Sequence, residues 1–501
     1  MRQLSGHDAG FLYSDTTHSN ANVSLLHIYD QSTAPGGVVR FKAILAHVER
    51  QLHKAPLFRQ RLQRVPLALD HPYWVDDENF DLEYHVRHIA LPKPGDWRQF
   101  CIQVSRLHAR ALDLDRPLWE LYVIEGLDSF LELPVGSFAL LIKTHLAAID
   151  LNELSGLTRL LHDNSAAPPL PAPPAPWFAD AAPGRFSLAC HGLVNSATAP
   201  LRLVRPLARL ATHLAPAAVA LASEMLLRPQ NLPATRFNSV VSPHRVFETR
   251  RFTEAEFESV RKLVRGATFD DAVLAVCGGA LRRFLLDQGE LPEGHSLAAI
   301  MPVPTAEPDT LAWRHLHLGT DIADAVARMA AIRAQRVAAP DAVARVLGSR
   351  VLAEAAEQAS AALLAWTRRW VGRASARLGS RTPPANCTIS LISPVPALNQ
   401  ALYLCGARMT YYSAILPITD GLGLAFAVTR YDGRVLISPT SCRELMPDPE
   451  AFATCLRDSF QEYLALAAAP RPAARRRPAT AKSAAPRASS AGKPARARRP
   501  A

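Results

Sequence analysis

Apolar residues along the first 165 positions follow two different periods. Ser24-Leu25-Leu26-His27-Ile28-Tyr29 and Phe138-Ala139-Leu140-Leu141-Ile142 are short, dense apolar runs with the length of buried strands. Between them, Phe41 to Leu52 and Trp97 to Leu112 space their apolar residues three and four apart, which gathers them on one face of a helix. This mixture predicts an α/β block over residues 1–165. The run Pro168-Pro169-Leu170-Pro171-Ala172-Pro173-Pro174-Ala175-Pro176 then excludes helix and central strand, because proline lacks an amide donor and restricts the residue before it. It reads as a linker. Residues 186–228 are rich in Leu, Ala and Val, with Arg202, Arg205 and Arg209 among them, the pattern of helices with one apolar face. Such a face packs on a neighbouring domain or rests on a membrane surface, and the first is the commoner use.

A second α/β block fills residues 236–467. Its pattern predicts a helix from Phe269 to Gln288, a strand from Leu297 to Val303, long Ala/Arg-rich helices from Asp321 to Arg377, and strands near Cys387 to Ile392 and Gly423 to Val428. Two α/β halves joined by a connecting segment (166–235) predict two related domains facing each other, followed by a tail (468–501).

The chain has 501 residues, 49% of them hydrophobic and 20% charged, which is globular composition at a length that usually holds more than one core. The net charge of +11 changes meaning once it is located. From Arg471 onward the chain carries Arg475, Arg476, Arg477, Lys482, Arg487, Lys493, Arg496, Arg498 and Arg499 with no acid, among Ala, Pro and Ser. Such a tail is expected to be disordered and leaves the body near neutral. Its cations suit anionic lipid headgroups or nucleic-acid phosphates, or serve solubility alone. With no folded nucleic-acid motif behind the tail, nucleic acid is not an expected partner. No apolar run of about 18 residues and no export signal is present, so a cytoplasmic protein is expected.

Seven cysteines, Cys101, Cys190, Cys277, Cys387, Cys405, Cys442 and Cys455, lie scattered, without the close pairs of metal or redox motifs, and read as reduced. His27, His47, His53, His71, His85, His88, His108, His162 and His315 have no partner at a meaningful spacing and are assigned no role. Serine-nucleophile catalysis lacks a Gly-x-Ser-x-Gly turn. Gly278-Gly279 sits inside a helical pattern and reads as a packing feature, not a phosphate loop.

Several segments, in order and at matching spacing, resemble the bacterial wax ester synthase/diacylglycerol acyltransferase family. They are His7-Asp8-Ala9-Gly10-Phe11-Leu12-Tyr13, Pro56-Leu57-Phe58-Arg59-Gln60-Arg61 with Tyr73-Trp74-Val75, and Arg116-Pro117-Leu118-Trp119-Glu120-Leu121-Tyr122-Val123-Ile124-Glu125-Gly126-Leu127. In the second half they are Phe269-Asp270-Asp271-Ala272-Val273-Leu274-Ala275, Met301-Pro302-Val303-Pro304, Gly406-Ala407-Arg408, Tyr431-Asp432-Gly433 and Pro447-Asp448. The resemblance covers residues 1 to about 467. It implies two chloramphenicol-acetyltransferase-like domains facing each other across a tunnel, and transfer of a fatty acyl group from acyl-CoA to a long-chain alcohol or a diacylglycerol. It also implies substrate contacts at Pro117, Leu118, Trp119, Asp270 and Asp271, no cofactor or metal beyond acyl-CoA as co-substrate, and a place in the cytoplasm, at the inner membrane or at lipid inclusions.

The family's catalytic motif is His-His, three residues, Asp-Gly, its second histidine taking the proton of the acceptor hydroxyl. Here the stretch reads His145-Leu146-Ala147-Ala148-Ile149-Asp150-Leu151. By resemblance His145 and Asp150 stand at catalytic-motif positions, while Leu146, which cannot accept a proton, replaces the base and becomes a substrate-lining candidate. In an extended segment His145 faces away from the side of Leu146, which argues against a swap of roles. Leu151 replaces glycine and predicts a turn of different shape. Asp270 replaces the asparagine of an Asn-Asp pair, and Ser390-Leu391-Ile392-Ser393-Pro394-Val395-Pro396 departs from a Ser-Asn-Val-Pro-Gly-Pro turn. Two readings stay open: an acyltransferase that tolerates the loss, or a catalytically impaired relative that binds lipid or acyl-CoA or acts as a partner protein.

Overall fold

The computed structural model describes residues 2–127, 133–134, 136–168, 176–184, 186–195, 197–198, 232–304, 311–338, 385–392 and 400–469. Most of the proline run, residues 339–377 of the Ala/Arg-rich stretch and the basic tail lie outside these residues, as does Ser393 to Pro396; of the long helices expected from Asp321 to Arg377, a helix Ala325–Val337 is present.

Three sheets organise the protein. A six-stranded sheet runs in the order Tyr403–Leu404, Ala407–Ile415, Asn22–Asp30, Phe138–His145, Trp119–Glu125, Val86–Ala90. A seven-stranded sheet runs Leu311–His317, Ala298–Pro304, Cys387–Leu391, Ala425–Tyr431, Arg434–Cys442, Arg245–Phe247, with Arg250–Thr253 also on Arg434–Cys442. A small third sheet joins Arg2–Gln3, Tyr73–Asp76 and Gln60–Gln63. Both large sheets mix parallel and antiparallel pairs. The architecture is the α/β one that the sequence predicts. The chain also returns: Ala407–Ile415, late in sequence, pairs antiparallel with Asn22–Asp30 in the sheet of the first half.

Local sequence explains the elements. All eight residues of Phe138–His145 are buried, because both faces of this central strand are covered. Phe138, Leu140 and Ile142 enter one core, and Ala139 and Leu141 enter a second one with Phe100 and Val104 of helix Trp97–Ala109. Helix Phe269–Asp287 starts on a capping box, Thr268 with Asp271. At Gly278 an added Cβ would collide with the Leu318 carbonyl oxygen, and at Gly279 with Ser459 Oγ, so close packing requires both glycines. Asp432 and Gly433 both have positive φ, 50° and 68°, as the two-residue hairpin between Ala425–Tyr431 and Arg434–Cys442 demands.

One charge interrupts the apolar run of Phe138–His145. The Lys143 ammonium, fully buried, meets Glu120 at 2.7 Å and donates to the carbonyls of Leu107 and Arg110 at 3.2 and 3.1 Å. Those carbonyls belong to the end of helix Trp97–Ala109, where a cation is favoured by the helix dipole. Burial pulls the Lys143 pKa down and Glu120 opposes that shift. Glu120 also accepts from Tyr122 Oη at 2.8 Å and meets Arg87 at 3.3 Å. Lys143→Ala is expected to cost about 3 kcal/mol, because it removes the fully buried partner of Glu120 and leaves that carboxylate only the partly exposed Arg87 and the Tyr122 hydroxyl. Urea unfolding checks this, and an unchanged midpoint would contradict it.

Candidate active site

The strand Phe138–His145 ends where the chain turns into the 3-10 turn Leu151–Glu153 and helix Leu154–Leu160. The turn is pinned by backbone bonds: His145 N–H to Leu118 O at 3.2 Å, Leu146 N–H to Ala21 O at 3.0 Å, and Ala148 N–H to His145 O at 2.8 Å. Pro117, Leu118 and Trp119 are thereby brought to the His145 corner. Leu118 O also accepts from Thr144 Oγ1 at 3.1 Å.

His145 is fixed at both ring nitrogens. Its Nδ1 accepts the Ala147 N–H at 3.0 Å, so the ring proton sits on Nε2, which lies 3.0 Å from Asp15 Oδ2. Asp15 caps the C-terminus of helix Gly6–Ser14, and its other oxygen accepts from Ala21 N at 2.8 Å. No nitrogen of the buried His145 is left to take a substrate proton unless one of these bonds breaks. Leu146 is buried in the main core, the one that also holds Val23, Ile149 and Leu154.

Asp150 performs a local task. It caps Leu151–Glu153, accepting from Asn152 N at 3.2 Å, while Glu153 reaches back to the Asp150 amide. Among the described residues it makes no ion pair. Leu151 does not take up a positive φ. The turn is a right-handed helical one that leucine fits without strain.

Trp119 is 1% exposed; its Nε1–H donates to Phe58 O at 3.1 Å and its ring stacks on His85 at 4.6 Å. Leu118 is fully buried beside Trp74 and Leu62.

Asp270 and Asp271 begin helix Phe269–Asp287 in the second half, and no hydrogen bond or ion pair among the described residues joins them to the His145 corner. Asp271 takes a two-point contact from Arg336, at 2.7 and 3.1 Å, and accepts from Thr268. Burial pushes its carboxyl up, but the bonds from Arg336 and Thr268 outweigh this and hold it below the usual range. Asp270, half-buried and without a salt bridge among the described residues, is raised by burial although Arg336 acts against it.

Sequence reasoning missed Asp15, His18 and Asp420. Asp15 lies 130 positions from His145, and His18 lies 402 positions from the Asp420 it contacts, so no local spacing could reveal either pair. Of the histidines left without a role, His27, His85, His108 and His162 are core residues. Burial lowers His108 to about 3 and His162 to about 4, so both stay neutral. No group of three or more metal-ligating side chains occurs among the described residues.

Comparison with known proteins adds to this geometry. Residues 4–273 match the wax ester synthase/diacylglycerol acyltransferase catalytic domain, and residues 293–463 match the C-terminal domain of that family. A Mycobacterium tuberculosis (strain CDC 1551 / Oshkosh) protein named as a candidate diacylglycerol O-acyltransferase is 32% identical over 93% of this chain and 90% of its own length. A second candidate from strain H37Rv is 31% identical over 93% of this chain and 97% of its own. Among solved structures, a wax ester synthase/diacylglycerol acyltransferase from Marinobacter aquaeolei VT8 superposes with a TM-score of 0.64 at 22% identity, covering 93% of this chain and 99% of that one. A starter condensation domain of rhizomide synthetase follows at 0.51 and 14% identity, covering 93% and 94%. These superpositions establish a shared fold.

Asp15→Ala is expected to destabilise the protein by about 1–3 kcal/mol, since it strips the buried His145 of its acceptor. Asp15→Asn, which keeps an acceptor oxygen, should lose less. Thermal unfolding of both variants checks this, and unchanged midpoints would contradict it.

Proposed function

The chain belongs to the wax ester synthase/diacylglycerol acyltransferase family, and on that footing we propose that it transfers a fatty acyl group from acyl-CoA to a long-chain alcohol or a diacylglycerol. The observation that carries this reading is continuity: both family domains are matched along the chain, and the fold and the backbone of the motif corner are intact despite Leu146. In this reaction the acceptor oxygen attacks the thioester carbonyl, the acceptor proton moves to a base, and the C–S bond breaks to release CoA. His145 does not serve as that base. A positioned general base is worth about 10²- to 10⁴-fold, and orientation of an activated thioester supplies part of the rate without one.

A second reading, a protein that binds acyl-CoA or lipid without turning it over, is favoured by one observation. The family's base position is leucine, and the neighbouring histidine is bonded at both nitrogens.

The lipid substrates call for access to a lipid surface, at the inner membrane or a lipid inclusion. Among the described residues no helix is long and apolar enough to cross a membrane. Phe178 and Phe186 are each 84% exposed, and Leu67 is 91% exposed on the turn against which Gly192 packs. These side chains support peripheral docking.

Ester formation from palmitoyl-CoA with hexadecanol and with dipalmitoylglycerol tests the proposal, with CoA release measured in parallel. Wild type is expected to form ester above a protein-free control. His145→Gln, whose amide still donates to Asp15, is expected to retain the rate within about tenfold, well short of the loss a missing base causes. Absence of ester with both acceptors would overturn the transferase reading in favour of the binding one.

A further inference from the structure

The acceptor proton needs a destination, and the loop between helix Gly6–Ser14 and strand Asn22–Asp30 offers one. This loop, Asp15 to Ala21, wraps the motif corner: Asp15 holds His145 and Ala21 O accepts the Leu146 amide. From the same loop Ser19 Oγ donates to Ile418 O at 2.8 Å, and the His18 carbonyl accepts Arg245 Nη2 at 2.9 Å. It is therefore clamped to the second half of the chain on one side and to the motif corner on the other.

His18 differs from the other histidines near this corner. Its Nε2 lies 3.2 Å from Asp420 Oδ2, and its side chain is 31% exposed. Asp420 is itself held in place, because its other oxygen accepts the Val241 N–H at 3.0 Å. A carboxylate on Nε2 places the ring proton there and leaves Nδ1 as the free acceptor, the tautomer a general base needs. Nδ1 has no protein partner among the described residues. His145, with Asp15 on one nitrogen and an amide on the other, is the same kind of ring with its acceptor already used. His18 is three residues from Ala21, whose carbonyl holds the Leu146 amide, so the two Cα atoms lie at most about 11 Å apart on the same loop.

We propose that His18, oriented by Asp420, is the general base of this protein. The proposal rests on the transferase reading above. As the acceptor oxygen bonds to the thioester carbonyl carbon, Nδ1 of His18 takes the hydroxyl proton and the Asp420 carboxylate stabilises the imidazolium. The C–S bond then breaks, the imidazolium returns the proton to the departing thiolate, and ester and CoA thiol leave with His18 neutral again. Asp420 acts through His18 and is a positioning residue.

The test compares wild type, His18→Ala and His18→Gln in the palmitoyl-CoA assay. Glutamine still donates to Asp420 and keeps that tie between the halves, but it takes no proton. Both variants are expected to lose about 10²- to 10⁴-fold in kcat with KM for palmitoyl-CoA little changed, and added imidazole is expected to recover part of the His18→Ala loss. If either variant keeps kcat within about threefold of wild type, or if glutamine restores what alanine loses, His18 is a structural tie and the proposal is overturned. A wild type without turnover overturns the transferase reading and this inference with it. An active wild type with active variants overturns this inference alone.

Discussion

Pairing of Ala407–Ile415 with Asn22–Asp30 is the constraint on which the site depends. The ladder runs from Arg408 opposite Asp30 to Ile415 opposite Ser24, with a bulge between Met409 and Tyr411. The bulge re-aims the strand, so that Met409 and Tyr412 enter one core while Tyr411 and Ile415 enter the other. Because the strands are antiparallel, residues just beyond Ile415 must arrive beside those just before Asn22. Ser19 accordingly reaches Ile418, and His18 reaches Asp420. A slip of one residue would turn alternate side chains to the wrong face and dissolve these contacts.

On the other side of Asn22–Asp30 lies Phe138–His145, with Asn22 opposite His145. The motif corner is thus the end of a strand buried on both faces and steadied by Lys143 beneath it. That setting explains what the corner can and cannot do. It holds Leu146 as a core side chain and His145 as a bonded one, and Asp150 spends its carboxylate on a helix cap. Rigidity is retained there, and the proposed proton acceptor lies instead on the more open loop.

The elements whose side chains repeat locally were legible in the sequence. Phe41 to Leu52 and Trp97 to Leu112 are helices within three residues of the predicted ends, and the strands near residues 24, 138, 298, 387 and 425 are present. The glycine pair in helix Phe269–Asp287 is the packing feature it was read as. Other parts were hidden for physical reasons. Apolar periodicity marks Ala407–Ile415 as a strand at most and says nothing of a partner almost 400 positions earlier. Substrate contacts at Pro117, Leu118 and Trp119 were expected from the resemblance alone, and no local spacing could reveal the bond from the Trp119 indole to Phe58 O. Asp270 and Asp271 look alike in sequence, yet Arg336 pairs with Asp271, and among the described residues Asp270 has no salt bridge.

The central claim is that the proton leaves the acceptor on the open loop and not at His145. A crystal structure with a non-reactive thioether analogue of palmitoyl-CoA and hexadecanol tests it most directly, by locating the acceptor hydroxyl. The account predicts a hydroxyl on the His18 side of Leu146, beyond hydrogen-bond reach of either nitrogen of His145, whose contact to Asp15 stays closed. A hydroxyl within about 3.2 Å of His145, with that contact broken, would contradict it.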